Sequence, residues 1–296
     1  MSINQMNYVG DIIRPPSEAS SIIIQVTVGC SHNKCTFCGA YKDKSKMFRI
    51  RSNEEITENL AFAAQYCTRQ KRVFLADGDV LILSQKRLLT LFKQIKKSLP
   101  QVNRIALYGN AKAIRSKSVQ DLKELKELGL HRIYMGLESG DNDVLAFVKK
   151  GETAESMIEA GQLVKEAGVF LSVTVLLGLG GRSGSIRHAQ ESARVLNRMQ
   201  PKQIAALCLM PLTNTELGEN YKKGTFQLPD TKEILIELRE LIQHIDCDPV
   251  QFMANHASNY LPLSGRFGRD KPDMLESIKQ ALAGNKSLVQ EQYRAL

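Results

Sequence analysis

Along this chain the hydrophobic positions switch between a short strand-like pattern and a helical one, and the switch repeats six times. Runs rich in β-branched and aromatic residues read as strands at 21–28 (SIIIQVTV), 72–77 (RVFLAD), 104–109 (RIALYG), 131–138 (HRIYMGLE), 169–178 (VFLSVTVLLG) and 204–210 (IAALCLM). After them, apolar residues recur at helical spacing near 53–68, 84–98, 117–128, 141–149, 153–167, 184–198 and 231–244. Several strands are apolar on both faces, which predicts a parallel sheet covered by helices, an α/β fold. A closed or partly closed barrel and an open doubly wound sheet both fit this order. No polar linker interrupts the repeats, so the expected layout is a leader at 1–20 and one core domain at 21–246. From about 247 the rhythm breaks, and 247–296 is expected to pack on the core as a C-terminal extension ending in a helix near 271–283.

Composition narrows the class. The 296 residues are 43% apolar and 24% charged, an ordinary globular balance. The first twenty residues show no basic cap followed by an apolar stretch, so no signal peptide is expected. The longest nearly apolar run, 169–181, is shorter than the ~18 residues a membrane span needs. The expectation is a cytoplasmic protein without a membrane partner, in which clustered thiols are reduced and serve as metal ligands or catalysts. A net charge of +9 suits an RNA, a phosphate-bearing substrate or an acidic partner. The densest basic stretch, 41–51, has no aromatics spaced to stack bases, and Trp is absent, so charge alone does not indicate nucleic acid.

The loop QVTVGCSHNKCTFCGAYK (25–42) sets Cys30, Cys35 and Cys38 directly after the first strand. In a parallel α/β barrel this is the carboxyl end, where active sites form. Structural zinc takes four protein ligands, often from two Cys-x2-Cys hooks, and only one hook is present. His32 lies inside the short loop, where tetrahedral closure is strained. An ordinary ferredoxin site also needs four thiolates. Three thiolates on a [4Fe–4S] cluster leave one iron open to a small molecule.

With Phe37 between its last two cysteines, this loop resembles that of the radical S-adenosylmethionine (SAM) superfamily. The chain has four residues between the first two cysteines, where the commonest family spacing is three. The resemblance implies a partial (β/α)6 TIM-type barrel with a C-terminal extension, a [4Fe–4S] cluster on Cys30, Cys35 and Cys38, and SAM on the open iron. It further implies an oxidoreductase-type activity: an electron, from a donor such as flavodoxin or ferredoxin, cleaves SAM to methionine and a 5′-deoxyadenosyl radical. That radical then abstracts hydrogen from substrate, most simply a small molecule.

Further motifs extend the resemblance. FLADGDVL (74–81) ends the second strand where the family carries its SAM-amino-binding turn, so Gly78 and Asp79 are candidates for the ammonium group. A plain Asp-Gly turn reads the same way. Asn110 ends the third strand as a SAM or substrate ligand, or as a turn residue. IYMGLESGDNDVLAFVKKG (133–151) resembles the group of oxygen-independent coproporphyrinogen oxidases and the Elp-three-like branch. It implies Glu138 on the SAM ribose and Lys150 on the SAM carboxylate, although Lys-Lys-Gly is also an ordinary helix end. Thr174, placed by its distance from Gly178, corresponds to a ribose contact. Candidate catalytic residues are His256, in the unassigned segment FMANHASNYLPLSGRF (252–267), and Cys208, at the end of the sixth strand. Two alternatives stay open: a tRNA- or protein-modifying member, and a non-catalytic iron–sulfur or zinc-binding protein.

Overall fold

The computed structural model describes residues 5–295, so residues 1–4 of the leader lie outside the described residues. Its main sheet has eight strands in the order β1-β4-β5-β6-β7-β8-β9-β10. They are β1 (Ile22–Gln25), β4 (Arg72–Ala76), β5 (Arg104–Tyr108), β6 (Leu130–Glu138), β7 (Phe170–Leu177), β8 (Gln203–Cys208), β9 (Gln251–Ala254) and β10 (Leu263–Arg266). A two-stranded ribbon joins β2 (Thr27–Val28) and β3 (Arg49–Ile50). In the main sheet β1–β4, β4–β5, β5–β6, β7–β8 and β8–β9 pair in parallel and β9–β10 antiparallel, which gives a mostly parallel α/β sheet of the partial TIM-barrel type.

The helices are α1 (Asn53–Tyr66), α2 (Gln85–Ser98), α3 (Ala111–Arg115), α4 (Val119–Glu127), α5 (Asn142–Phe147), α6 (Ala154–Glu166), α7 (Gly181–Met199), α8 (Glu216–Lys222), α9 (Thr231–His244) and α10 (Lys271–Leu282). Their starts are written in the sequence. Ser52 with Glu55, Ser118 with Asp121 and Asp230 with Glu233 each close a capping box, satisfying amides that the first helical turn leaves unpaired. Among the described residues no helix is long and apolar enough to cross a membrane.

The chain divides into two compact units. Among the described residues, one comprises 5–33, 40–135 and 166–170; the other comprises 34–39, 136–165 and 171–295. In the first, alternate residues of β4, β5 and β6 (Phe74, Ala76, Ala106 and Tyr134) form a core that Ile12 of the leader and Tyr108 complete. Phe74 and Tyr108 meet edge to face at 5.2 Å. The leader is tied down by Val9 N–H on Gln25 Oε1 at 2.8 Å and by the Tyr134 hydroxyl on Glu18 at 2.6 Å.

In the second unit, Val144, Val148, Leu179, Leu209, Leu217 and Phe226 are buried together, with Phe37 packed against them. The strand–helix rhythm does not predict β9 or β10. Each is only four residues long, too short for a period to show, yet β9 pairs in parallel with β8 from Gln203↔Gln251 to Ala205↔Met253. Part of the segment expected to pack on the core therefore continues its sheet. Helices α3 and α8 also go unpredicted, being five and seven residues long.

Candidate active site

In the first unit the turn after β4 brings three of the sequence-predicted residues together. Asp79 is fully buried. Its Oδ2 accepts hydrogen bonds from Ser31 Oγ at 2.5 Å and Asn110 Nδ2 at 2.7 Å, while its Oδ1 has no hydrogen-bond partner. Burial pushes the carboxyl up to about 6, against the pull of the Ser31 and Asn110 hydrogen bonds. Gly78 lets this turn approach the cysteine loop: its N–H bonds Gly29 O at 3.2 Å, and a Cβ here would stand 3.3 Å from Cys30 Cβ and 3.0 Å from the Tyr41 ring.

Asn110 is the N-cap of α3. Its Oδ1 accepts from Ala113 N–H at 2.8 Å, and its Nδ2 serves Asp79 and Ser31, so the amide holds Asp79 in place. The neighbouring Asp77 is saturated. It accepts from Gln25 at 3.0 Å and pairs with buried Lys46 at 3.2 Å, which offset the desolvation that raises its carboxyl. Lys46 and Gln25 carry no motif, and only the fold reveals their role.

In the second unit the short segment with Cys35 and Cys38 is pinned by its backbone. Thr36 N–H bonds Val148 O at 3.0 Å, and Thr36 O accepts from Leu217 N–H at 2.9 Å. Asn214 Nδ2 donates to Gly39 O at 3.1 Å, and Phe37 anchors the middle in the apolar core. The aromatic between the two cysteines is thus a packing wedge that leaves both thiols half-exposed.

Glu138 sits at the end of β6 with φ +62°, a conformation that side chains rarely adopt. Ser139 N–H bonds back to Leu137 O at 2.8 Å, making Glu138 the centre of a strained γ-turn. Its carboxylate pairs with Lys150 Nζ at 3.0 Å, both side chains mostly buried. Gly136 makes the room, because a Cβ there would collide with Glu138 Oε1. The two residues expected to bind different parts of SAM therefore stand together. Thr174 lies half-buried on β7, opposite Ala205 in the ladder.

The sequence matches the family description "Radical SAM superfamily" over residues 24–191, more than half of the chain. The chain belongs to the radical SAM superfamily. This radical SAM chain is 26% identical over 156 residues to an uncharacterized methyltransferase of Pyrococcus horikoshii, covering 53% of this chain and 32% of that one. It is 28% identical over 122 residues to a tRNA uridine(34) acetyltransferase of Methanocaldococcus infernus, covering 41% and 23%. It therefore spans about a third or less of the length of these curated relatives. Among solved structures it resembles coproporphyrinogen III oxidase of Escherichia coli, with TM-score 0.54, 15% identity and coverage of 75% and 51%.

Radical SAM enzymes work with a [4Fe–4S] cluster and SAM, and the donor chemistry here fits both. Three thiols in nine residues suit iron, and a buried carboxylate oxygen lacking a donor suits an ammonium group. Among the described residues no three His, Cys, Asp or Glu side chains converge on a single ion. A cube asks for something else, since each thiolate takes a different iron.

Of the two candidate catalytic residues, Cys208 lies at the end of β8. It is buried, its Sγ donates to Asn259 Oδ1 at 3.1 Å, and burial pushes the thiol up to about 12, which opposes thiolate chemistry. His256 is half-buried, and its Nδ1 accepts from Ser258 N–H at 3.1 Å, so a neutral ring carries its proton on Nε2. Burial lowers its pKa.

Proposed function

We propose that this radical SAM protein cleaves SAM reductively and uses the resulting radical to abstract hydrogen from an organic small molecule. The observation that carries this reading is the Cys30–Cys38 loop, three half-exposed thiols in nine residues behind the first strand. Cys30, Cys35 and Cys38 would ligate the cluster. When bound, the reduced cluster and SAM supply an electron and, from it, a 5′-deoxyadenosyl radical.

The chain's own residues do the rest. Asp79 Oδ1 and the backbone around Gly78 receive the SAM ammonium, with Asn110 and Ser31 orienting the carboxylate. Glu138 takes the ribose hydroxyls with Thr174, and Lys150 the SAM carboxylate, which requires the Glu138–Lys150 pair to share its charge with the ligand. His256 remains a candidate for substrate contact. The physiological electron donor is a flavodoxin or ferredoxin, and the compartment is the cytoplasm, where thiols stay reduced.

A second reading, a tRNA substrate, draws on the match to a tRNA uridine(34) acetyltransferase and on the charge of +9. One experiment tests the shared chemistry. Anaerobically reconstituted protein, reduced with dithionite and given SAM, should release 5′-deoxyadenosine and methionine, seen by mass spectrometry. A protein that loads its cluster and binds SAM yet never yields 5′-deoxyadenosine would defeat the proposal.

A further inference from the structure

The leader stretch QMNYVGDII (5–13) has no part in the reading above, yet buried polar side chains of the first unit hold its backbone. Asn7 N–H donates to Asn59 Oδ1 at 2.8 Å, and the Asn7 carbonyl accepts from Arg51 Nη1. Val9 engages one side-chain amide twice: its N–H donates to Gln25 Oε1 at 2.8 Å and its carbonyl accepts from Gln25 Nε2 at 3.2 Å. The Asp11 carbonyl accepts from Lys46 Nζ. Gln25, Arg51 and Asn59 are fully buried and Lys46 nearly so. Between Val9 and Asp11, Gly10 takes φ +63°, and a Cβ there would stand 2.5 Å from Lys46 Cε. The leader therefore crosses Lys46 at a residue without a side chain.

Two of these anchors hold the β4 turn as well. Gln25 Nε2 donates to Asp77 Oδ2 at 3.0 Å, and Lys46 Nζ donates to the same oxygen at 3.2 Å. Asp77 opens the turn whose Gly78 and Asp79 belong to the proposed SAM site. Leader carbonyls and the turn carboxylate thus share the same two donor groups. Lifting the leader would leave both groups short of a partner and admit water to them. A hydrated ammonium holds a carboxylate far less firmly than a buried one.

We propose that Gln25 and Lys46 are positioning residues for SAM that the leader locks in place: residues 7–11 form a strap that fixes both donors on Asp77 and so holds the Asp77–Asp79 turn in its binding arrangement. The inference rests on the proposed SAM site, to which Asp79 belongs. Coupling of this kind is reciprocal. If the closed strap raises SAM affinity, bound SAM keeps the strap closed by the same factor. A leader that only adds stability has no such link to the ligand.

Hydrogen exchange on the cluster-loaded, full-length protein reads this link, measured anaerobically with and without saturating SAM. The Asn7 and Val9 amides should exchange about fivefold more slowly with SAM, the lower end of ordinary coupling. The Val289 amide, which donates to Tyr260 O at 2.8 Å in the second unit, is the reference and should keep its rate. No slowing in the leader would overturn the proposal, and so would equal slowing at Val289, which reports only general stabilisation by a ligand. Gly10→Val tests the converse. Its side chain either lifts the leader or pushes Lys46 off Asp77, so SAM should bind about fivefold more weakly at matched iron content. Wild-type affinity in that variant would overturn the proposal. Asp79→Ala runs alongside. If it binds SAM like wild type, the underlying site reading fails; if it weakens SAM binding while leader exchange ignores SAM, only the positioning role fails.

Discussion

The turn Asp77–Asp79 after β4 and the connector between β9 and β10 that holds NHASNY are both short and polar, yet they use their hydrogen bonds differently. In the connector the two buried residues, Ser258 and Asn259, spend their hydrogen bonds within their own unit. Asn259 Nδ2 donates to Ala206 O at 2.9 Å, its Oδ1 accepts from Cys208 Sγ, Ser258 Oγ accepts from Cys208 N–H at 3.2 Å, and Ser258 O takes Arg294 Nε at 2.7 Å. These contacts stitch the tail to β8. The β4 turn holds one saturated carboxylate, Asp77, and one with a buried oxygen left over, Asp79. A buried polar group without a partner costs stability, so its persistence points to a ligand that fills it.

The sharpest way to break this contrast is to remove the unsatisfied carboxylate. Asp79→Ala should weaken SAM binding by about 10- to 100-fold, the worth of a charge-assisted hydrogen bond, at unchanged iron content. Asp79→Asn should do much the same and, in the protein without SAM, melt higher than wild type at pH 8. The sign follows from a folded pKa raised from 3.8 to about 6: the wild-type contribution is fully present below 3.8 and is lost as pH rises through about 6. The thermal advantage of Asp79→Asn should therefore shrink as pH is lowered through 6 towards 4, and a constant advantage would place the cause elsewhere.

The connector should respond in the opposite sense. Asn259→Ala strips partners from Cys208 Sγ and Ala206 O and should cost about 1–3 kcal/mol, read in a denaturant titration, with SAM affinity intact in the folded fraction. Lost SAM affinity at native stability would erase the distinction between the two segments. The smallest effect is expected at His256, whose contacts are local to Ser258. His256→Ala should leave iron content and SAM affinity alone and cost about 1 kcal/mol or less, any loss falling on coupling to substrate. A joint drop in melting temperature and cluster content would instead make His256 a structural residue.

How legible this was in the sequence depends on separation along the chain. The six main strands and their helices are readable because period and capping are local, as in the Ser52–Glu55 box. The cysteine loop is readable for the same reason. Strands of four residues in the tail carry too little pattern, and their pairing with β8 is set by tertiary contact. Asp79 reads in the sequence as a candidate for the SAM ammonium or as a plain turn residue, and what distinguishes it from Asp77 is which atoms lie around it. The positive φ at Glu138 is masked by a strand pattern that runs straight into it. The Ser139–His188 and Gly178–Glu237 hydrogen bonds are invisible, because their partners are 49 and 59 residues apart.

The most direct test of the central claim is the metal content of protein purified and reconstituted without oxygen. Wild type and Cys67→Ala should hold about four iron and four sulfide per chain, and the triple variant Cys30→Ala, Cys35→Ala, Cys38→Ala should hold essentially none. Stoichiometric zinc in place of iron, or a cluster that survives the triple substitution, would contradict the account.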